Sequence, residues 1–327
     1  MKRRAPRVVV VTGASAGVGR AIARAFARRG ASVALLARGR DGLEGARRDV
    51  EALGGRALVC PVDVADEQVV EDAAARIEDE LGPIDVWVND AMVSVFSPAD
   101  RMDPDEYRRV TDVTYLGYVW GTLAALRRMK LRNRGVVVQV GSSLAHRSVP
   151  LQSAYCAAKQ AVKGFTESVR AELEHEGSRV KVCMVDLPAV NTPQFDWSRS
   201  HLSQRQQPVP PIFQPEVPAE AVVEAAEHPR RDVVVGWRQW LVQRLLARGD
   251  DRYRAQLSGE PEEPGRRDNL YAPLRGDHGA HGRFDRSARR NGVELWLVLH
   301  RGLAIAAAAA FGVGAVLAFR SARRLLQ

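Results

Sequence analysis

"RVVVVTGASAGVGRAIARAFARRG", Arg7 to Gly30, passes from strand to turn to helix within one stretch. Val8 to Val11 is apolar without alternation, so both faces of the strand call for burial, as in the interior of a parallel sheet. Gly13, Gly17 and Gly19 then interrupt the run. Glycines let the backbone turn sharply and approach a phosphate, and the helix that follows offers unpaired N–H groups and a positive dipole end at its start. Gly30 stands at a C-cap position. Strand, glycine turn and helix in this order open a βαβ unit.

Working outward, the same texture repeats. "ASVALLAR", "RALVCPVD", "IDVWVND", "GVVVQVGSS", "RVKVCMVDLP" and "DVVVGW" read as further buried strands, separated by stretches long enough for crossover helices. The pattern up to about Gly236 predicts an α/β fold, a doubly wound parallel sheet. A length of 327 residues suits one such unit with an extension. Residues 1–249 form the expected sheet domain.

After Leu187 the composition changes. "PAVNTPQFDWSRSHLSQRQQPVPPIFQPEVP" is rich in Pro, Gln and Ser and carries Phe195, Trp197 and Phe213. It follows the C-terminal end of a strand, where ligands of open α/β sheets bind, so residues 190–216 are expected to form a substrate lid. Residues 250–292 are polar, without periodicity, and read as an irregular extension. Within them "DHGAH" brings His278 and His281 near Asp277 but lacks further ligands at metal spacing, so a solvated loop and no metal are expected. Residues 293–327 contain the uncharged run Gly302–Phe319, which as an apolar C-terminal helix would span about 27 Å, close to the roughly 30 Å of a bilayer core. Its Ala and Gly content equally suits a helix packed on the domain or on a partner subunit. Membrane association through 302–319 is therefore one of two expectations.

The formal net charge of +9 attracts anions, phosphate cofactors among them. Nucleic acid is not expected as a partner, because the basic runs are scattered and no aromatic-rich basic surface accompanies them. The three cysteines, Cys60, Cys156 and Cys183, show no C-x-x-C spacing, which implies a reducing compartment. "MKRRAPRVVVVTG" lacks the apolar stretch of a secretory signal. A cytoplasmic catalytic domain is expected, tethered if the C-terminal run inserts into a membrane.

Several motifs then occur in a fixed order: T-G-x-x-x-G-x-G from Thr12, Asp63-Val64 after the third strand, "NDAM" from Asn89 after the fourth, Ser142 after the fifth, "YCAAK" from Tyr155 to Lys159, and "PAVNTP" from Pro188. From Arg7 to about Gly236 the chain resembles the classical short-chain dehydrogenase/reductase family. The resemblance implies a Rossmann-like fold, a nicotinamide dinucleotide, a small-molecule carbonyl or alcohol substrate and a homo-oligomer. It places Thr12, Gly13, Ser15, Gly17, Val18, Gly19, Arg38, Asp63, Val64, Asn89, Ala91, Tyr155, Lys159, Pro188, Val190 and Thr192 around the dinucleotide. After "VALLA" come Arg38, Gly39 and Arg40, with no acid until Asp41. An arginine there accommodates the 2′-phosphate of NADP, whereas an acid would hold the 2′-hydroxyl of NAD, so NADP is the expected cofactor.

Tyr155 and Lys159 stand at i and i+4, on one helix face. A phenol with a pKa of about 10 exchanges protons poorly at neutral pH, and a nearby ammonium favours its ionised form. In the family resembled, this tyrosine is the general acid/base and the lysine also holds the nicotinamide ribose. A serine about thirteen residues earlier polarises the substrate oxygen there. Ser142 fits that spacing and Ser143 sits one residue closer; adjacent strand residues face opposite ways, and Ser142 is preferred. Val162, Phe165, Val169 and Leu173 continue the helix as a packing stripe.

Two departures bear on activity. Met92 replaces the family's usual glycine, so it narrows the site or faces the substrate. Thr114 replaces the asparagine that in the family maintains a water-linked proton route to the lysine, so the relay is rebuilt through Thr114 or weakened. The expectation is an NADP-dependent oxidoreductase acting on an apolar or bulky carbonyl or secondary alcohol, with Ser142, Tyr155, Lys159 and Thr114 as its catalytic set. The alternative is a non-catalytic NADP-binding or membrane-associated scaffold of the same fold.

Overall fold

The computed structural model describes residues 7–236 and 249–290. Seven parallel strands form the central sheet: β1 (Val8–Thr12), β2 (Ser32–Ala37), β3 (Arg56–Pro61), β4 (Ile84–Asn89), β6 (Val136–Ser142), β7 (Lys181–Leu187) and β12 (Asp232–Val234). Their order is β12-β7-β6-β4-β1-β2-β3, so the chain reverses direction across the sheet between β1 and β4. That is the switch point at which open α/β sheets bind ligands.

The unbroken apolar runs are explained by burial on both faces. Val9 and Val11 join one core layer with helices α1 (Gly17–Ala27), α2 (Arg40–Ala52) and α8 (Glu216–Glu227). Val8 and Val10 join the other layer, beneath α3 (Glu67–Leu81), α4 (Pro104–Thr111), α5 (Gly117–Met129) and α6 (Ser153–His175). Each fully buried valine contributes about 2 kcal/mol of transfer free energy.

On α3 the Asp66 carboxylate accepts the Val69 N–H at 3.1 Å, and α4 carries a full capping box between Asp103 and Glu106. Helix α1 begins at Ala16 with no side-chain cap. Between α4 and α5 the backbone forms a π-helical turn, Asp112–Leu116.

The expected lid carries the short helix α7 (Gln194–Trp197) and is stitched down on three sides. β9 (Arg199–Ser200) pairs with β5 (Val95–Phe96), β10 (Gln204–Gln206) with β13 (Leu257–Pro261), and β11 (Ile212–Phe213) with β8 (Ala189–Val190). The extension expected to be irregular carries a short helix, Gly249–Arg254, as well as β13, and the loop at "DHGAH", with Asp277 and His278 exposed, is tied to the domain by side-chain contacts. Asp277 pairs with Arg20, the His278 ring meets Trp197 edge-on at 4.9 Å, and His281 bridges Glu216 and Asp285, each at 2.9 Å. Among the described residues no helix is long and apolar enough to cross a membrane, and Gly302–Phe319 lies outside them.

Candidate active site

A groove opens along the C-terminal ends of β1, β4, β6 and β7. At its base the chain leaves β1 through Gly13, at φ +73°, where an added Cβ would lie 2.9 Å from Ala91 Cα. Only glycine accommodates both the dihedral and the approach. In the first turn of α1 the Gly17 N–H donates to Gly279 O at 3.1 Å, and the Gly19 N–H is taken by the Asp90 carboxylate. Between them, Val18 lines the groove. With the Gly17 and Gly19 N–H groups already engaged, an anion set here meets the positive end of the helix dipole beside Val18.

At the other end stand the catalytic candidates. Ser142 ends β6 and Tyr155 lies in the first turn of α6, and both line the groove. Ser142 Oγ accepts the Leu144 N–H at 3.1 Å, which orients it. Lys159 is only 2% exposed, and its Nζ donates to Tyr118 Oη at 2.7 Å and to Val140 O at 2.8 Å. Tyr118 Oη in turn donates to Val140 O at 3.0 Å.

Burial sets the electrostatics. It pushes the Tyr155 phenol up, with the Ser142 hydroxyl working against it. It pulls the Lys159 ammonium down, opposed by Asp90 and then Asp186. It pushes Asp90 up, opposed by Lys159 and by the Gly19 N–H. In this state Nζ lies 5.8 Å from the Tyr155 ring centroid, with two of its donors turned to Tyr118 and Val140, and burial dominates the phenol. A protonated phenol results, the form a general acid needs. Behind the serine, buried Asp186 is held by His146 Nε2 at 2.7 Å.

At the far end Arg38 follows β2. Its guanidinium donates to Leu270 O at 3.2 Å and to Asn269 O, both in the C-terminal extension. Arg109 shares Leu270 O, at 3.0 Å, and pairs with Asp63 at 2.5 Å. Burial and then the Arg109 charge lower the Arg38 pKa.

Most residues placed around the dinucleotide on resemblance do line this groove, Ser15, Val64, Pro188, Val190 and Thr192 among them. Four of the expected site residues do not. Thr12 Oγ1 accepts the Asp90 and Ala91 N–H groups, at 2.9 and 3.1 Å, and so ties β1 to the end of β4. Gly19 packs on Gly13 O. The Asn89 side chain turns inward, accepting from Trp87 Nε1 at 2.8 Å and donating to Gln139 Oε1 at 2.9 Å. Thr114 sits in the π-turn, and its hydroxyl accepts from Val93 N at 3.1 Å and donates to Val93 O at 2.9 Å. In this structure the Thr114 hydroxyl directs its one proton to the Val93 backbone, and it keeps one acceptor position beyond these two bonds. Met92 lines the groove.

Sequence reasoning missed Tyr118, the Asp90 carboxylate and the extension. Tyr118 is one helical turn beyond Thr114 and could have been found as the next residue on that face. Asp90 lies within "NDAM", two residues before Met92. The extension carried no periodic signal.

The comparisons agree with this geometry. A family model described as short chain dehydrogenase matches residues 7–202. The chain is 34% identical over 284 residues to the "Uncharacterized oxidoreductase YxnA" of Bacillus subtilis, covering 83% of this chain and 79% of that protein. It superposes with a TM-score of 0.62 and 25% identity on an alcohol dehydrogenase from Thermococcus sibiricus complexed with 5-hydroxy-NADP, over 70% of this chain and 95% of that one. A metagenomic short-chain oxidoreductase in complex with NADP matches at 0.59 and 28% identity, over 70% and 96%. With the seven-strand order, the uncapped glycine turn and the serine, tyrosine and lysine at one groove end, these matches make the chain a member of the short-chain dehydrogenase family, an oxidoreductase by descent and by fold.

Proposed function

We propose that this protein moves a hydride between NADP(H) and a carbonyl or secondary alcohol, working as a reductase. The observation that carries the reading is Ser142 and Tyr155 on one groove wall with the buried Lys159 ammonium held beside them by Tyr118 and Val140 O. The nicotinamide, when bound, supplies the hydride. Tyr155 gives its proton to the substrate oxygen, and the Ser142 hydroxyl donates to that oxygen as negative charge develops on it. Lys159 neutralises the tyrosinate left behind. Tyr118 and Val140 O hold the lysine's orientation.

NADP is supported by Arg38 at the end of β2 and by the absence of an acid before Asp41, whose Oδ2 is engaged by the Gly276 N–H at 2.8 Å. The two solved structures cited hold NADP or its 5-hydroxy form, which adds support by likeness. The substrate end is walled by Val93, Leu144, Val149, Phe195, Trp197 and Val209, which suits an apolar or bulky substrate. Half-buried Tyr115, Trp120 and Phe165 along the α5 and α6 layer support a homo-oligomer. The length of Gly302–Phe319 supports a membrane-facing tail, which fractionation of cells expressing the chain with and without it tests.

Purified protein with NADPH, NADH and a panel of carbonyls tests the function. Turnover with NADPH preferred, and lost in Tyr155→Phe, is expected. Tight NADPH binding without turnover on any member would favour the non-catalytic alternative.

A further inference from the structure

We propose that Asn269–Gly282 is the outer wall of the dinucleotide site: a clasp that aims Arg38 at the cofactor's ribose phosphate, runs the length of the groove, and must open for the dinucleotide to exchange. The inference rests on the cofactor reading above and extends it to a segment outside the span matched by the family model.

The path of the segment is the first argument. Leu270 is fully buried in the core layer beneath α3 to α6, and Ala280 is buried in the layer of α1, α2 and α8. The chain between them therefore crosses the C-terminal edge of the sheet, where the groove lies. On the way it meets groove residues in order. Asn269 and Leu270 carbonyls hold Arg38, Pro273 lies over Gly39, Asp277 pairs with Arg20, and Gly279 O takes the Gly17 N–H. Gly282 ends the crossing against Thr192, its N–H donating to Asn191 O at 3.4 Å. Pro273, Leu274, Gly276 and His278 line the same cavity as Tyr155 and Lys159.

The domain is shaped to receive it. A Cβ on Gly45 of α2 would collide with the Asp277 carboxylate, so that glycine forms a notch for the latch residue. Arg20, with a side chain 7% exposed, bonds both Asp277 and, at 2.8 Å, Asp49, while Arg48 reaches Asp277 at 3.5 Å. Arg38 spends two donors on the clasp, which leaves part of its fork for a phosphate. An arginine held by main-chain carbonyls is aimed before the ligand arrives, so less ordering is lost on binding.

The test uses the full chain. A Cβ on Gly39 would lie 3.2 Å from Pro273 Cβ, and Gly39 has φ −86°, which a cysteine accepts. Gly39→Cys with Pro273→Cys should form a reducible bridge across the mouth, since natural bridges hold their Cβ atoms roughly 3.8 Å apart. NADPH is loaded under reducing conditions, the bridge is oxidised, and release is followed by chase with excess NADP. Release at least tenfold slower in the bridged protein, restored by reductant, is expected. Asp277→Asn, which leaves Arg20 its Asp49 partner, should speed release by roughly tenfold, the scale of one partly exposed charge-assisted pair. Equal release rates in the bridged and reduced forms would overturn the clasp while leaving the cofactor reading intact. Failure of the unsubstituted protein to bind either NADPH or NADH would overturn the cofactor reading, and the clasp with it.

Discussion

The two ends of the groove are built differently. At the substrate end the working side chains come from one strand and the helix that follows: Ser142 from β6, and Tyr155 and Lys159 from α6. At the phosphate end Arg38 is positioned by carbonyls of Asn269 and Leu270, more than 230 residues further along the chain. A proton-transfer site tolerates little displacement, so it sits on rigid elements with local spacing. A site that must admit and release a dinucleotide is closed by a segment able to part from the domain.

Substitutions at the two ends should separate chemistry from retention. The largest effect is expected for Tyr155→Phe, which removes the proton donor and should lower kcat about 10³-fold, within the usual range for general acids. NADPH binding measured by fluorescence should change little. Next is Arg38→Ala, at the other end. It should weaken NADPH by about 10- to 100-fold, the scale of a lost charge-assisted fork, while NADH affinity barely moves. If both cofactors weaken equally, Arg38 anchors the clasp but does not read the phosphate.

Tyr118→Phe sharpens the comparison at the catalytic end. It removes an oxygen that accepts from Lys159 Nζ and so favours the charged lysine. Burial already holds that lysine low, so the phenylalanine should move the alkaline limb of the kcat profile to lower pH, with kcat down about fivefold, the scale of one buried hydrogen bond. A profile that keeps its shape would reduce Tyr118 to a packing role.

The smallest effect concerns the clasp anchor. Burial works against a charged His281, but the Glu216 and Asp285 hydrogen bonds outweigh it and raise its pKa. Arg24, 3.9 Å from Glu216, partly offsets that pairing. A raised value in the folded state means that the stabilisation is complete below the unfolded value of about 6.5 and fades as pH rises through the higher folded one. NADPH release should therefore quicken about two- to threefold across that upper range, as befits a partly exposed pair, and His281→Gln should be fast and flat with pH.

The same contrast explains what could be read from the residues. Buried parallel strands announce themselves as unbroken valine runs, and Tyr155, Lys159 and Ser142 announce themselves by spacing, because a helix turn and a strand end fix where they point. Thr12 and Asn89 stood at motif positions, yet their side chains serve the sheet ends; nothing in a linear spacing distinguishes a residue beside the cofactor from one that holds the residue beside it. Thr114 stood where a relay was expected, and the π-turn directs its one proton to the Val93 backbone. The clasp was illegible for a physical reason. Its order comes from contacts made one at a time to Arg38, Gly45, Arg20 and Gly17, so it has no apolar period, and its Gly, Pro and Asp content matches that of a solvated loop.

The central claim is that hydride passes to a carbonyl carbon while Tyr155 supplies the proton. NADPH deuterated at the transferring position, incubated with the carbonyl panel and read by mass spectrometry, tests it most directly. The account predicts deuterium on the product's carbinol carbon with the unsubstituted protein and labelling about 10³-fold slower with Tyr155→Phe, although both bind NADPH alike. Label transfer undiminished in Tyr155→Phe, or NADPH bound tightly with no label moved to any carbonyl, would contradict it.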